Sequence, residues 1–252
     1  MPAPELARLT WPEAQTAFVS ARVALVPVGS TEQHGPHMTL DTDSAIAEAF
    51  ARRIGDALGT DALLCPTLGH GMSEHHMTFP GTLTLRAPTL MALIEDVVES
   101  LREHGLQRVL LINGHGGNQD ALRLAARSAA REGRSQVATL MWAVLAADLI
   151  AERAATTRHA HACDIETSVA LAIAPHVVLR DRIEAPPPLP EEVPLAEPGS
   201  RYDYPVSFEH WSRNGALGDP RLATEQLGEE IVELALGRAV DFARRFIGRT
   251  EE

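Results

Sequence analysis

The chain has 252 residues, of which 45% are hydrophobic and 22% charged, and its formal net charge is −12. That acidity, with no cluster of arginines to overrule it, excludes nucleic acid as the expected partner. The sequence holds no lysine, which rules out a Schiff-base lysine and a P-loop lysine alike.

The length suits one α/β domain spanning residues 1–252 with a sizeable core. Cys65 and Cys163 follow neither zinc-ligand nor redox spacing. They read as reduced thiols of a cytoplasmic protein. The start of the chain lacks the basic and apolar regions of a signal peptide, and no apolar run approaches membrane-spanning length, so no membrane partner is expected.

In chain order, Val23 to Val26 predicts a buried strand, and residues 27–43 emerge from it. This loop carries Glu32, His34, His37, Asp41 and Asp43, bent by Gly29, Gly35 and Pro36. Such a density of carboxylates and imidazoles is poor core material. It suits a divalent cation, because borderline metals prefer mixed nitrogen and oxygen donors. Glu32 and His34 are two apart and share a side of an extended segment. Any one of these residues alone reads better as a solvated loop position; the combination points to metal.

A helix is predicted from Ser44 to Leu58, with Ile46, Phe50, Ile54 and Leu58 near helical spacing. Asp43 then falls at the loop-to-helix junction, where aspartate is also a common cap. A second strand, Ala62 to Pro66, leads into residues 69–76, whose His70, His75 and His76 stand open between pocket-lining and solvated readings. Phe79 to Thr82 is turn chemistry, and Leu83 to Leu85 a short strand.

Leu90, Leu93, Ile94, Val97 and Leu101 mark an amphipathic helix that stops near Gly105. The strand Arg108 to Ile112 ends at Asn113-Gly114-His115-Gly116-Gly117-Asn118. This glycine turn lacks both the Walker lysine and the Rossmann spacing, so nucleotide binding is a weak reading. A histidine held at a sheet edge by glycines is better explained as a ligand. A helix from Gln119 to Glu132, a strand from Val137 to Trp142 and helical residues to about Ala155 follow.

A helix beginning near Asp164 and ending before Pro175 puts Glu166 in its first turn, where a carboxylate is favoured without any metal. His159 and His161 precede it, and His161 is placed to serve as a general base near neutral pH. Taken alone, this cluster is evenly balanced between capping and catalysis. His104, His176 and His210 read as structural. Residues 185–210 open with a proline-rich acidic stretch that reads as a lid or excursion, and a last helix covers about Leu222 to Ile247.

The alternation of strands and helices predicts a mostly parallel sheet with helices on both faces. Ligands of such folds bind at the carboxyl ends of the strands. Residues 29–43, 69–76 and 113–118 each follow a strand, so the three clusters are expected to converge.

Four of these stretches, 29–43, 76–82, 113–118 and 161–168, together with a weaker fifth at 215–224, resemble the creatininase family of metal-dependent amidohydrolases. The resemblance implies a three-layer α/β/α sandwich and a site for one or two divalent metals (zinc, manganese or iron). It also implies a homo-oligomer, commonly a hexamer. Carried over by position, Glu32, His34, Asp43 and His115 match metal ligands, with Asp43 as the bridge between two ions. His161 and Glu166 match the catalytic histidine and an active-site glutamate. Ser73, Gly116, Gly117 and Trp142 fall on the substrate side.

Two departures stand out. Creatinine-hydrolysing members carry a glutamate ligand where this chain has Gly117, and a second active-site tryptophan that residues 156–160 lack. A second metal would therefore recruit another ligand, with Glu166 the candidate, or bind weakly, and creatinine becomes doubtful as the substrate. Members without that glutamate include mycofactocin-type peptidases and formylamide hydrolases. The expected reaction is hydrolysis of an unactivated C–N amide bond in a small amide or a short peptide. A metal binder without chemistry is disfavoured, because a binder needs no proton shuttle at His161.

Overall fold

A computed structural model of the chain describes residues 1–131, 135–156, 160–188 and 204–248. Four strands form its sheet: β1 (Val23–Val28), β2 (Ala62–Leu64), β3 (Arg108–Asn113) and β4 (Gln136–Met141). They lie in the order β2-β1-β3-β4, and every pairing is parallel. β1 pairs with β2 over Val23–Leu25 and with β3 over Ala24–Val28. The chain leaves β1 to one side and returns on the other, so β1 and β3 border the point where loops diverge and a ligand crevice opens.

Eight helices accompany the described strands. They are α1 (Trp11–Ser20), α2 (Thr42–Leu58), α3 (Ala87–Glu103), α4 (Gln119–Ala129), α5 (Trp142–Leu145), α6 (Ala147–Arg153), α7 (Asp164–Ile173) and α8 (Glu225–Gly248). Strand side chains alternate between faces, and the two faces bury different helices. Val23, Leu25, Leu110 and Ile112 pack with Ile46, Phe50 and Ile54 of α2 and with α7 and α8. Ala24, Val26, Val109 and Leu111 pack with Leu90, Ile94 and Val98 of α3 and with α4. The result is the three-layer α/β/α sandwich, with no helix long and apolar enough to cross a membrane among the described residues.

Local chemistry sets the helix ends. Thr10 and Glu13 form a capping box at α1. After α3, Gly105 adopts φ +89°, and the N–H of Leu106 reaches back to the carbonyl of Leu101. This is the left-handed stop that glycine supplies cheaply.

Several boundaries differ from the sequence reading. Helix α2 begins at Thr42, so Asp43 lies inside its first turn and Asp41 takes the cap position. The buried surroundings of Asp43 outweigh its preference for an exposed cap. Leu83 and Thr84 make isolated bridges to Thr31 and Gly71 instead of a strand. Trp142 opens α5 rather than closing β4. Residues 189–203 of the proline-rich excursion, and His159, lie outside the described residues.

Candidate metal centre

The loops after β1, β2 and β3 meet at the carboxyl edge of the sheet, and their polar side chains are buried there. Glu32, His34 and His76 are no more than 1% exposed, as is Asp43, while His115 is 4% exposed. Asp43 lies between two imidazoles: Oδ1 is 3.2 Å from His34 Nε2, and Oδ2 is 3.1 Å from His115 Nδ1. Glu32 is similarly placed, with Oε2 3.2 Å from His115 Nε2 and Oε1 3.3 Å from His76 Nε2. Two elements fix the His115–Asp43 approach. A β-carbon on Gly114 would run into the Asp43 backbone, so the β3 turn sits directly on the first turn of α2.

The turn itself is tied by its two asparagines. Asn113 accepts the His115 N–H (3.1 Å) and donates to the His115 carbonyl (2.7 Å). Asn118 accepts the Met72 N–H (2.8 Å) and donates to the Gly29 carbonyl (3.0 Å), joining all three loops. The sequence reading saw the glycines of this turn and overlooked the work of the asparagines.

His161 and Glu166 enter from the start of α7. Ala162, between them in sequence, has φ +48°, a left-handed conformation that a non-glycine residue adopts at a cost. Its N–H is bound by Glu166 Oε2 at 2.6 Å. The same oxygen lies 3.9 Å from both His34 Nε2 and His161 Nδ1. All of the predicted ligands thus come together. Among the described residues, three sets lie within shared ligand reach: Glu32–Asp43–His115, His34–His161–Glu166 and Glu32–His76–His161.

What stands behind each histidine fixes which nitrogen faces the cluster. Backbone carbonyls accept from His34 Nδ1 (Glu32, 3.1 Å), His115 Nε2 (Met72, 2.9 Å) and His161 Nε2 (Gln33, 2.7 Å). A carbonyl can only accept, so those nitrogens keep their protons. His34 Nε2, His115 Nδ1 and His161 Nδ1 are left as the nitrogens able to offer a lone pair.

Burial alone would drive protons off these rings, but the carboxylates win at two of them. Asp43 holds His34 protonated up to about 10, and Glu32 with Asp43 holds His115 well above the ordinary range. Asp43 is correspondingly pushed down by the facing imidazoles despite its burial. His161 goes the other way, lowered by burial and by His34.

The donor set fits a divalent cation. Glu32 Oε1 and Oε2 and Asp43 Oδ2 are buried without an aligned hydrogen-bond donor. Buried carboxylate oxygens are costly unless paired or metal-bound.

A cavity of about 630 Å³ opens beside the cluster. Gly116, Gly117 and Trp142 line it, and Ile150, Ile165, Phe208 and Trp211 extend its apolar wall. Ser73 does not line the cavity: it is fully buried behind His115, paired with Ser30 and held by the Thr84 hydroxyl. Its hydroxyl lies 3.5 Å from His115 Nε2. Of the three histidines left open, His75 and His76 line the cavity and His70 does not. Phe208 and Trp211 were missed, and Trp211 supplies from a distant segment an indole that residues 156–160 lack. His37 turns away to Thr167, and His70, His104, His176 and His210 are exposed outside the cluster. Cys163 lines the cavity, but burial pushes its thiol up to about 12, so it is no thiolate nucleophile near neutral pH.

A family model described as creatinine amidohydrolase matches residues 7–243. The chain belongs to the creatininase family. It is 36% identical to the mycofactocin precursor peptide peptidase of Mycolicibacterium smegmatis, over 89% of this chain and 85% of that one. It is 28% identical to the creatinine amidohydrolase of Pseudomonas putida, over 94% of each chain. A solved creatininase described as the Mn form superposes with a TM-score of 0.83 at 28% identity, covering 98% of this chain and 100% of the other.

Proposed function

We propose that this creatininase-family chain is a metal-dependent hydrolase of C–N amide bonds, with Glu32, His34, Asp43, His115 and Glu166 as its ligands. The observation that carries this reading is the buried set of carboxylate oxygens without aligned donors, surrounded by imidazole nitrogens whose outer sides are anchored on carbonyls. A divalent cation held there (zinc, manganese or iron) supplies Lewis-acid polarisation of an amide carbonyl and lowers the pKa of water.

The chain's own residues supply the rest. His161 is anchored through Nε2 to the Gln33 carbonyl, which leaves Nδ1 to take a proton and return it to the leaving nitrogen. Glu166, bound to the Ala162 N–H, sets its carboxyl group beside that ring and completes the ligands around His34. The backbone amides at Gly116 and Gly117 line the cavity and are read as donors to the developing oxyanion. Trp142, Ile165 and Phe208 close an apolar wall that excludes water from the reacting bond.

A peptide substrate is favoured over creatinine by one observation. Gly117 is hemmed in by Met72, His115 and His75, so the position that carries a ligand in creatinine-hydrolysing enzymes has no room here for any side chain. The greater identity to a precursor peptide peptidase accords with this. We further read the chain as a cytoplasmic homo-oligomer, a hexamer by family resemblance, with the exposed Trp11 and Val19 of α1 on an assembly face.

The test is amine release, followed by mass spectrometry, from a panel of short peptides with apolar residues and from creatinine. Turnover is expected to stop with a chelator, return with zinc or manganese, and fall by about 10²-fold or more in His161→Ala. Chelator-resistant turnover, or full activity in that variant, would refute the reading.

A further inference from the structure

His76 stands among the possible ligands, 3.3 Å from Glu32 Oε1, and its ring lies 4.4 Å from that of His161. Distance alone would enrol it in the metal centre. Its far side says otherwise. His34, His115 and His161 each have a backbone carbonyl behind them, whereas His76 Nδ1 faces the Gln33 side-chain amide at 2.8 Å.

The orientation of that amide is set by two backbone groups that cannot exchange roles. Gln33 Oε1 accepts the Gly35 N–H at 2.9 Å, and Gln33 Nε2 donates to the Gly215 carbonyl at 3.1 Å. Flipping the amide would set carbonyl against carbonyl and N–H against N–H. The close packing of Gly215 on Gln33 also holds the amide in place: at φ +87°, a β-carbon on Gly215 would collide with the Gln33 amide. So Nε2 of Gln33 donates, and Nδ1 of His76 can only accept. In a neutral imidazole the proton must then sit on Nε2, the nitrogen aimed at Glu32.

We infer that His76 is a positioning residue that presents an N–H to Glu32 and is not a ligand of the metal centre. At 3.3 Å the contact is longer than a closed hydrogen bond, so the N–H orients Glu32 Oε1 and leaves Oε2 to the Asp43 and His115 side. Phe208, 4.4 Å away ring to ring, seats the imidazole from the cavity side. The set Glu32–His76–His161 is therefore a positioning contact, and metal is confined to the sets containing Asp43 and His34. The tautomer stands independently of metal; the exclusion of His76 from ligation rests on the proposed metal centre.

Long-range ¹H–¹⁵N spectra of histidine-labelled protein test both halves. In metal-free protein the His76 signal, assigned with His76→Gln or by its contacts to Phe208 if that variant does not fold, is expected to show Nε2 protonated. Adding zinc is expected to move His34 and His115 and to leave the His76 tautomer unchanged. A His76 protonated at Nδ1, or one whose Nε2 becomes metal-bound, overturns the inference. A tautomer as expected in protein that takes up no zinc would sink the metal centre and leave the orientation of His76 standing.

Zinc affinity gives a second readout. His76→Ala is expected to weaken binding by roughly 10–100-fold with unchanged stoichiometry, while His76→Gln, which keeps an N–H donor, recovers most of it. Loss of a zinc equivalent in both variants would make His76 a ligand and refute the assignment.

Discussion

Gly117 is packed against His115 with no room for a β-carbon between the glycine and the imidazole Nε2. The backbone carbonyl of Met72 closes the same space, so the obstruction includes main chain that cannot swing aside. The neighbouring Gly116 meets nothing at all. Gly117→Ala is therefore predicted to cost about 1–3 kcal/mol through overpacking and to weaken metal binding, while Gly116→Ala is close to neutral. Gly117→Glu is predicted to lower metal content rather than to add a ligand. Denaturant unfolding and metal analysis of the three variants check this, and a stable Gly117→Glu chain with more metal would contradict it.

Loading the centre requires His34 and His115 to give up their inward protons. Because Asp43 holds His34 protonated up to about 10, metal binding near neutral pH is predicted to release protons and to weaken as pH falls. Calorimetry in buffers of different ionisation enthalpy measures the release; identical enthalpies in all buffers would count against it. Without metal, the raised His34 pKa contributes stability that is complete below the unfolded value near 6.5. That contribution is lost as pH climbs through about 10.

His37 works in the opposite direction and outside the cluster. Burial lowers its pKa to about 4, so between there and 6.5 the unfolded chain binds a proton that the folded chain does not. Stability is predicted to fall by about 2 kcal/mol as pH drops across that window, allowing for some solvent screening. In His37→Gln, which keeps a polar partner for Thr167, the slope flattens. Unfolding curves from pH 7 to 4 decide it: an unchanged slope in the variant would assign the acid lability elsewhere.

Trp11 is 80% exposed and Val19 84%, both on α1. If this face assembles the oligomer, Trp11→Glu is predicted to reduce the mass seen by light scattering while metal content stays the same. An assembly of native size in that variant would place the interface elsewhere.

Much of this was legible in the sequence because it is local. The apolar runs at Val23, Ala62, Arg108 and Val137 begin on or within a residue of the observed strands, and the i, i+4 pattern from Leu90 marks α3. Glu32, His34, Asp43 and His115 were readable as well, since glycines and polar residues crowded after apolar runs suit no core. What remained hidden depends on contacts between distant residues. His76 is defined by Gln33 and Gly215, which lie 43 and 139 positions away, and Trp211 reaches the cavity from beyond residues 189–203. Ser73 sits in a polar loop, yet contacts with Ser30, Thr84 and His115 from other segments leave it fully buried.

The most direct measurement is metal per chain in protein purified without added metal, native beside Asp43→Asn. Asp43 touches both His34 and His115, so the centre as described cannot survive its neutralisation. The native chain is predicted to retain one or two equivalents and the variant close to none, with both still folded. A variant that holds as much metal as the native chain would contradict the account.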